Sequence, residues 1–187
     1  KGEIEMIKRV LSVFTALFAV VSAFAGVAKI GDTEYATIDA AIDAWKEGDE
    51  IKLLCNIDRA DYFFITKNFV IDGCGYTLKC TKAHDGYNYF VNNNGYKQTF
   101  KNITIDGNKQ VAYAAQCINT SSTLILDNVT IKGGKTTLFQ GLMGYGLHIN
   151  KGNVIANDLK VSNCDAAAVY IDSNKAAGGS FTLTGDN

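Results

Sequence analysis

Hydrophobic and polar residues alternate in short segments over most of the chain beyond residue 55. In four segments the alternation lies within similar heptapeptides: Lys67–Gly73, Lys101–Gly107, Asp127–Gly133 and Asn157–Asn163. Period-2 alternation is typical of β-strands with one buried face, because successive side chains point to opposite sides. The pattern therefore predicts four strands with these inward pairs: Phe69 and Ile71, Ile103 and Ile105, Val129 and Ile131, Leu159 and Val161.

These segments recur at intervals typical of a solenoid. The heptapeptides start 34, 26 and 30 residues apart, and a second motif recurs between them: Tyr89–Asn92, Gln116–Asn119, Leu147–Asn150 and Val169–Asp172. One coil cannot bury its apolar face alone, whereas stacked coils join these faces into one core. We predict an all-β parallel β-helix over residues 55–187. One turn of each coil is expected to contribute to an amide ladder: Asn68, Asn102, Asn128 and Asp158.

One segment near the N-terminus has helical periodicity instead. Ile38, Ala41, Ile42 and Trp45 fall on one face of a helix. Thr37 is a suitable N-cap, and an apolar strand follows shortly after the helix. We predict a strand–helix–strand unit over residues 26–54 whose amphipathic helix caps the coils.

The same segment resembles a known family. The pattern Tyr35-x-Thr-Ile-x-x-Ala-Ile-x-Ala44, followed by Gly48-Asp49 and an apolar strand, resembles the N-terminal cap of pectate-lyase-like secreted bacterial proteins. The resemblance implies a right-handed parallel β-helix that binds or cleaves acidic polysaccharides, or a non-catalytic adhesin. Its lyases use Arg or Lys bases beside Asp ligands for calcium, and its hydrolases use paired Asp residues. Beyond residue 25 the only arginine is Arg59, near the cap, so no catalytic residue is carried over.

Residues 1–25 have the features of a secretory signal peptide with an upstream extension. Met6-Ile-Lys-Arg is followed by an apolar run from Val10 to Phe24 and by Ala23-Phe-Ala25, an Ala-x-Ala cleavage site. We therefore expect a bacterial protein that is secreted or displayed on the cell surface. The alternative is an uncleaved membrane anchor, because the apolar run approaches the length needed to span a bilayer. At the other end the chain stops directly after a strand, and we expect the coils of 55–187 to be truncated there.

Composition narrows the classes of partner. Lys+Arg 18 against Asp+Glu 19 gives a net charge of −1, which provides no electrostatic basis for nucleic-acid binding. The five cysteines form no CxxC pair, so no zinc site is predicted. We expect them to be small buried residues of the core. One disulfide among Cys55, Cys74 and Cys80 is the alternative.

Two columns of outward side chains are candidates for ligand binding. Asp72 and Asp106 are expected to stack on neighbouring coils, where they could share calcium or act as acid and base, although solvated turn carboxylates have the same pattern. Phe90, His148 and Tyr170, together with Cys117, form the other expected column. Stacked aromatic rings there could hold sugar rings.

Two functions remain open from the sequence. The first is an adhesin-like or carbohydrate-binding protein without catalysis in this segment, with a polysaccharide or cell-surface glycan as partner. No cofactor is required, although calcium is possible. The second is a polysaccharide lyase or glycoside hydrolase with active coils beyond residue 187. The repeats contain no cluster of acidic residues, which favours the first function.

Overall fold

The computed structural model describes residues 25–83, 89–136, 144–172 and 178–185. Within these ranges the chain is mostly β-strand and forms a solenoid of about four turns with one short helix. The predicted signal peptide lies outside the described residues, apart from Ala25. No helix within the described residues is long and apolar enough to span a membrane.

The strands form two sheets. An eleven-stranded sheet contains β1 (Ala28–Ile30), β2 (Thr33–Tyr35), β3 (Ile51–Leu53), β4 (Ile57–Arg59), β6 (Phe69–Asp72), β7 (Thr77–Cys80), β9 (Lys97–Val111), β11 (Thr123–Gly134), β13 (Asn153–Asn157), β14 (Lys160–Ser162) and β16 (Ser180–Thr184). A five-stranded sheet contains β5 (Phe63–Phe64), β8 (Tyr89–Asn93), β10 (Tyr113–Cys117), β12 (Tyr145–Ile149) and β15 (Val169–Ile171).

Parallel pairing between successive coils dominates both sheets. The larger sheet has the order β16-β13-β11-β9-β6-β3-β1-β2, and the smaller one β15-β12-β10-β8-β5. Among the described strands, only the pairs of β1 with β2 and with β3 are antiparallel. Since each strand bonds to the strands of the coils above and below it, the backbone groups that one coil cannot satisfy alone are paired by stacking.

The core runs through the middle of the coils. Inward side chains of both sheets are buried, and the phenylalanines Phe63, Phe69 and Phe100 pack together, with centroids 5.3–6.1 Å apart. Three predicted inward pairs are at most 3% exposed: Phe69 and Ile71, Ile103 and Ile105, Val129 and Ile131. Leu159 and Val161 are partly buried against the same core.

Helix α1 (Ile38–Ala44) forms where helical periodicity predicts it. Thr37 is its N-cap, and the Thr37 hydroxyl accepts a hydrogen bond from Ala40 N at 3.1 Å. The last turn has no basic residue of its own. Lys67 from the next coil supplies that charge, because its Nζ donates to Ile42 O at 2.9 Å and to Asp43 O at 2.8 Å.

The predicted register is correct for the later coils and wrong for the first. Val129 lies opposite Ile103, which reproduces the offset of 26 residues, and Val161 lies opposite Ile131, which reproduces the offset of 30. Phe69–Asp72, however, pairs with Gln98–Lys101 instead of with Ile103–Asp106 further along the same strand. Period-2 alternation identifies a half-buried strand but does not say on which face of the coil it lies.

The predicted amide ladder forms, but with fewer of the predicted residues. Asn128 Nδ2 donates to Asn102 Oδ1 at 2.9 Å, and Asn102 Nδ2 donates to Asp72 Oδ1 at 3.1 Å. Asn102, Asn128 and Asp158 have φ values of 46°, 52° and 51°, a left-handed conformation that Asn and Asp adopt more readily than other side chains. Asn68 lies outside this column, because its Oδ1 accepts from Lys97 N.

The cysteines do not form the alternative disulfide. All five are free thiols. Cys80 and Cys117 are buried as expected, and Cys117 has its pKa raised to about 11 by burial. Cys74 is exposed, which differs from the expectation of a buried residue, because it lies in the left-handed turn after Asp72 with a φ of 51°.

Candidate functional site

One surface of the five-stranded sheet contains a run of tyrosines from successive coils. Tyr89, Tyr113 and Tyr145 lie directly opposite one another on β8, β10 and β12. Three residues further along each strand is a second column, which contains Asn92, Gln116, His148 and Tyr170. We call Tyr89, Tyr113, Tyr145, His148 and Tyr170 the aromatic face.

The rings of Tyr113, Tyr145, His148 and Tyr170 stack along the solenoid. Tyr113 and Tyr145 have centroids 5.8 Å apart and planes within 8° of parallel, and Tyr145 and Tyr170 are 4.6 Å apart at 12°. His148 joins this stack, 4.5 Å from Tyr113 and 5.5 Å from Tyr170. Because the ring faces contact one another, ring edges and hydroxyl groups are what the stack offers to a ligand.

A buried polar contact fixes the orientation of His148. Gln116 Nε2 donates to His148 Nδ1 at 2.9 Å, and these side chains belong to residues only 8% and 6% exposed. A ring nitrogen that accepts a hydrogen bond carries no proton, so neutral His148 has its proton on Nε2. Asn92, next in the column, is 1% exposed, and among the described residues its Oδ1 has no hydrogen-bond partner.

The Tyr113 and Tyr145 hydroxyls have raised pKa values. Burial raises the pKa of Tyr113 above its usual value of 10.0, and neighbouring Tyr145, Tyr170 and Asp172 raise it further. Burial and then Tyr170 raise the pKa of Tyr145. A neutral phenol both donates and accepts hydrogen bonds, so these groups suit a ligand that is rich in hydroxyls.

Tyr170 is the exposed end of the aromatic face. Its coil has Ala167, just before β15, at the position that corresponds to the tyrosines of the earlier coils, three residues before Tyr170. Tyr170 stacks on Tyr145 and is 37% exposed, whereas Tyr113 is 7% exposed. The predicted neighbours His148 and Tyr170 are therefore brought together as expected.

Phe90 and Cys117 do not belong to this surface, so this part of the predicted column is wrong. Both are fully buried. In the five-stranded sheet two consecutive residues join the core, such as Phe90 with Val91, so strict alternation fails there. As a result, the column that contains His148 and Tyr170 includes Asn92 and Gln116 instead of Phe90 and Cys117.

The predicted pairing of Asp72 with Asp106 is also wrong. Asp72 lies between Lys52 and Lys101, and its Oδ1 accepts from Cys74 N at 2.9 Å and from Asn102 Nδ2. The ammonium groups of both lysines pair with Glu50. Asp106 lies five residues further along β9 than Lys101, the partner of Asp72, so the two carboxylates are not placed to share a calcium ion.

Asp106 has the same kind of environment on a different face. It lies between Lys79 and Lys132, and its Oδ2 is 3.4 Å from Lys132 Nζ. Its Oδ1 accepts from Asn108 N at 2.7 Å, the hydrogen bond of a turn carboxylate. Across the described residues, no three His, Cys, Asp or Glu side chains are grouped as metal ligands.

Sequence reasoning missed Tyr89, Tyr113 and Tyr145, although the sequence contains a pattern for them. A tyrosine precedes the second column by three residues in three coils, as Tyr89-x-x-Asn92, Tyr113-x-x-Gln116 and Tyr145-x-x-His148. The unequal coil lengths conceal this spacing, because Tyr89 and Tyr113 are 24 residues apart while Tyr113 and Tyr145 are 32 apart.

Comparisons with protein-family models, with curated proteins and with solved structures found no match for this chain. They therefore add nothing to the resemblance to pectate-lyase-like proteins. The parallel β-solenoid itself follows from the strand pairing described above.

Proposed function

We propose that this protein binds carbohydrate without cleaving it, as an adhesin-like or polysaccharide-binding β-helix, and that the aromatic face is its binding surface. The observation that carries the proposal is the continuous ring stack from Tyr113 through Tyr145 to Tyr170, with His148 packed beside it. Ring edges and hydroxyl groups side by side match the alternation of C–H and O–H groups on a sugar chain.

The arrangement of the carboxylates supports binding over hydrolysis. A retaining or inverting glycosidase needs two carboxyl groups on either side of the scissile bond, about 5–10 Å apart. The two acidic candidates, Asp72 and Asp106, each lie between lysines instead. His148, the remaining candidate for acid–base chemistry, is buried and bonded to Gln116.

Affinity electrophoresis tests this function directly. The protein is run through native gels that contain hydroxyethylcellulose, xyloglucan, galactomannan, arabinoxylan or pectin, beside a gel without polysaccharide. We expect retarded migration in at least one gel, and no released oligosaccharide when the same polymer is incubated with the protein and analysed by mass spectrometry. Unchanged migration in every gel would refute carbohydrate binding for this panel, and released oligosaccharide would make the protein an enzyme.

A matched pair of tyrosine variants locates the binding surface. Tyr170 and Tyr76 are equally exposed, at 37%, but Tyr76 lies in the turn between β6 and β7, on the larger sheet. We expect Tyr170→Ala to weaken retardation by about tenfold in apparent affinity, as the loss of one aromatic contact would. Tyr76→Ala should migrate as the native protein does.

We also propose that the coil is right-handed, that α1 caps the solenoid and that the protein is exported. A right-handed coil is supported by the strong preference of parallel crossover connections for that hand. A capping role for α1 is supported by its buried residues Ile38, Ala41 and Ile42, which join the core beside β3. Export as a secreted or cell-surface bacterial protein rests on the sequence of residues 6–25, and N-terminal sequencing of the exported protein tests it.

A further inference from the structure

A cleft separate from the aromatic face lies between the turn after α1 and the first coils. It has a volume of about 340 Å³, near the lower end of the range for small-molecule sites. Its lining residues are Trp45, Glu47, Gly48, Asn68, Phe69, Val70, Lys97 and Thr99. The adjacent residues Val70 and Thr99 of β6 and β9 provide a floor from the outside of the larger sheet.

Hydrogen bonds hold the aromatic wall of this cleft in place. Trp45 Nε1 donates to Asp49 O at 2.7 Å, and Lys46 N donates to Asp49 Oδ2 at 2.9 Å. The turn is completed by Asp49 N, which donates to Lys46 O, and by Gly48, with a φ of 93°. The partly exposed indole therefore keeps its position without any ligand, which lowers the cost of binding.

Polar groups of three kinds converge on the same space. Asn68 Oδ1 accepts from Lys97 N at 2.9 Å, which positions the amide and leaves its Nδ2 as a donor. Glu47 and Lys97 are exposed residues that line the cleft, and neither forms an ion pair within the described part of the chain. An acceptor carboxylate, a donor amide and a donor ammonium group beside one indole ring are suited to the hydroxyls and C–H face of a sugar.

We infer that this cleft binds one or two units of a neutral sugar, with Trp45 as the stacking platform and Glu47, Asn68 and Lys97 as hydroxyl-binding groups. The volume of the cleft limits the ligand to a short unit or chain end, in contrast to the extended surface of the aromatic face. A neutral sugar is preferred because the charges of Glu47 and Lys97 balance each other at the opening.

The fluorescence of Trp45 tests this inference, because Trp45 is the chain's only tryptophan. The whole protein is titrated with cellobiose, maltose, lactose and digalacturonate up to about 50 mM, a range that covers weak sites with Kd values of about 0.1–10 mM. We expect a saturable change in emission with at least one neutral disaccharide. No saturable change with any of the four, or a response to digalacturonate alone, would overturn the inference.

Three variants separate cleft binding from a general effect on the protein. Glu47→Gln keeps the size of the side chain. It should weaken binding of the neutral disaccharide by about tenfold, because a charged hydrogen-bond acceptor is lost. Lys46→Met removes an exposed neighbouring charge outside the cleft and should leave the affinity unchanged. Tyr170→Ala should also leave it unchanged. Equal affinity of the native protein and Glu47→Gln would refute the proposed site, whatever the outcome for the aromatic face.

Discussion

Two kinds of side-chain column run along this solenoid, and they follow different rules. On the larger sheet, Lys52, Asp72, Lys101 and Asp127 stack in one charged column, and Asp58, Lys79, Asp106 and Lys132 stack in another. On the smaller sheet, the aromatic face repeats the same residue type from coil to coil. In the charged columns every neighbour has the opposite sign, whereas the tyrosines repeat without alternation.

The energetics of neighbouring coils explain the difference. Side chains on adjacent strands are about 5 Å apart, where two like charges repel by roughly 3 kcal/mol at an effective dielectric constant of about 20. Aromatic neighbours attract each other by about 0.5–1.5 kcal/mol. A solenoid can therefore repeat a ring in consecutive coils, but it must alternate a charge. This rule also explains why Asp72 and Asp106, with lysines above and below, are poor candidates for a metal site.

The largest effect is expected from removal of a buried ring of the aromatic face. Tyr113 is 7% exposed and contacts Tyr145 and His148. Tyr113→Ala should lower the free energy of unfolding by about 2–4 kcal/mol, because both the buried area and the ring contacts are lost. Urea denaturation measures this loss. Tyr113→Phe, which keeps the ring, should cost less than about 1 kcal/mol, and a similar cost for both variants would contradict ring stacking.

A charge reversal should have a smaller effect that depends on salt. Asp106→Lys would create a run of three lysines, with Lys79 and Lys132 on either side, and remove the acceptor for Asn108 N. We expect a loss of about 1–3 kcal/mol at low ionic strength, and a reduced loss in 1 M NaCl because salt screens the repulsion. Asp106→Asn keeps the acceptor and should cost about 0.5–1 kcal/mol. An Asp106→Lys loss that salt does not change would mean that repulsion is not its cause.

Alkaline titration distinguishes the aromatic face from an ordinary tyrosine surface. The pKa values of Tyr113 and Tyr145 are raised above 10.0, so the folded protein holds these protons more tightly than the unfolded chain does. The resulting stabilisation is complete below pH 10 and is lost as the pH rises through the folded-state pKa values. Absorbance at 295 nm should show tyrosines that ionise later than N-acetyltyrosinamide, and fewer of them in Tyr113→Phe. Identical late-ionising absorbance in both proteins would contradict the assignment.

The smallest expected effect concerns the thiol beside the first charged column. Burial, and next the charge of Asp72, raises the pKa of Cys74 above 9.0, so less thiolate is present at pH 8. Asp72→Asn should lower this pKa and speed iodoacetamide labelling of Cys74 roughly threefold, equivalent to about half a pKa unit. Mass spectrometry measures the rate, with labelling of the same residue in Asp106→Asn as the control. Slower labelling in Asp72→Asn would contradict the electrostatic effect.

Much of the fold could be predicted from particular residues. The inward pairs Ile103/Ile105 and Val129/Ile131 gave a correct register because the two coils turn at equivalent asparagines. The first coil turns through Gly73–Tyr76, four residues opposite two in the next coil, between the pairs Asp72–Lys101 and Thr77–Thr104. Strand periodicity does not indicate how many residues the turn between two strands contains. The predicted neighbours of Asp72 were therefore wrong.

The candidate site was harder to predict than the fold. His148 and Tyr170 were paired correctly because their coils match residue by residue from Leu147 and Val169. Phe90 was placed on the surface because strict alternation was assumed, although Phe90 and Val91 both join the core. The Trp45 cleft depends on the approach of the turn after α1 to β6 and β9, and no local pattern in the sequence indicates it.

The central claim, that the aromatic face is where polysaccharide binds, is tested most directly by tyrosine nitration. Tyr170 and Tyr76 are equally exposed and lie on different sheets, so each is the control for the other. The protein is treated with tetranitromethane with and without the retained polysaccharide, and both sites are quantified by mass spectrometry. Slower nitration of Tyr170 alone would support the claim. Protection of Tyr76 alone, equal protection of both, or protection of neither would contradict it.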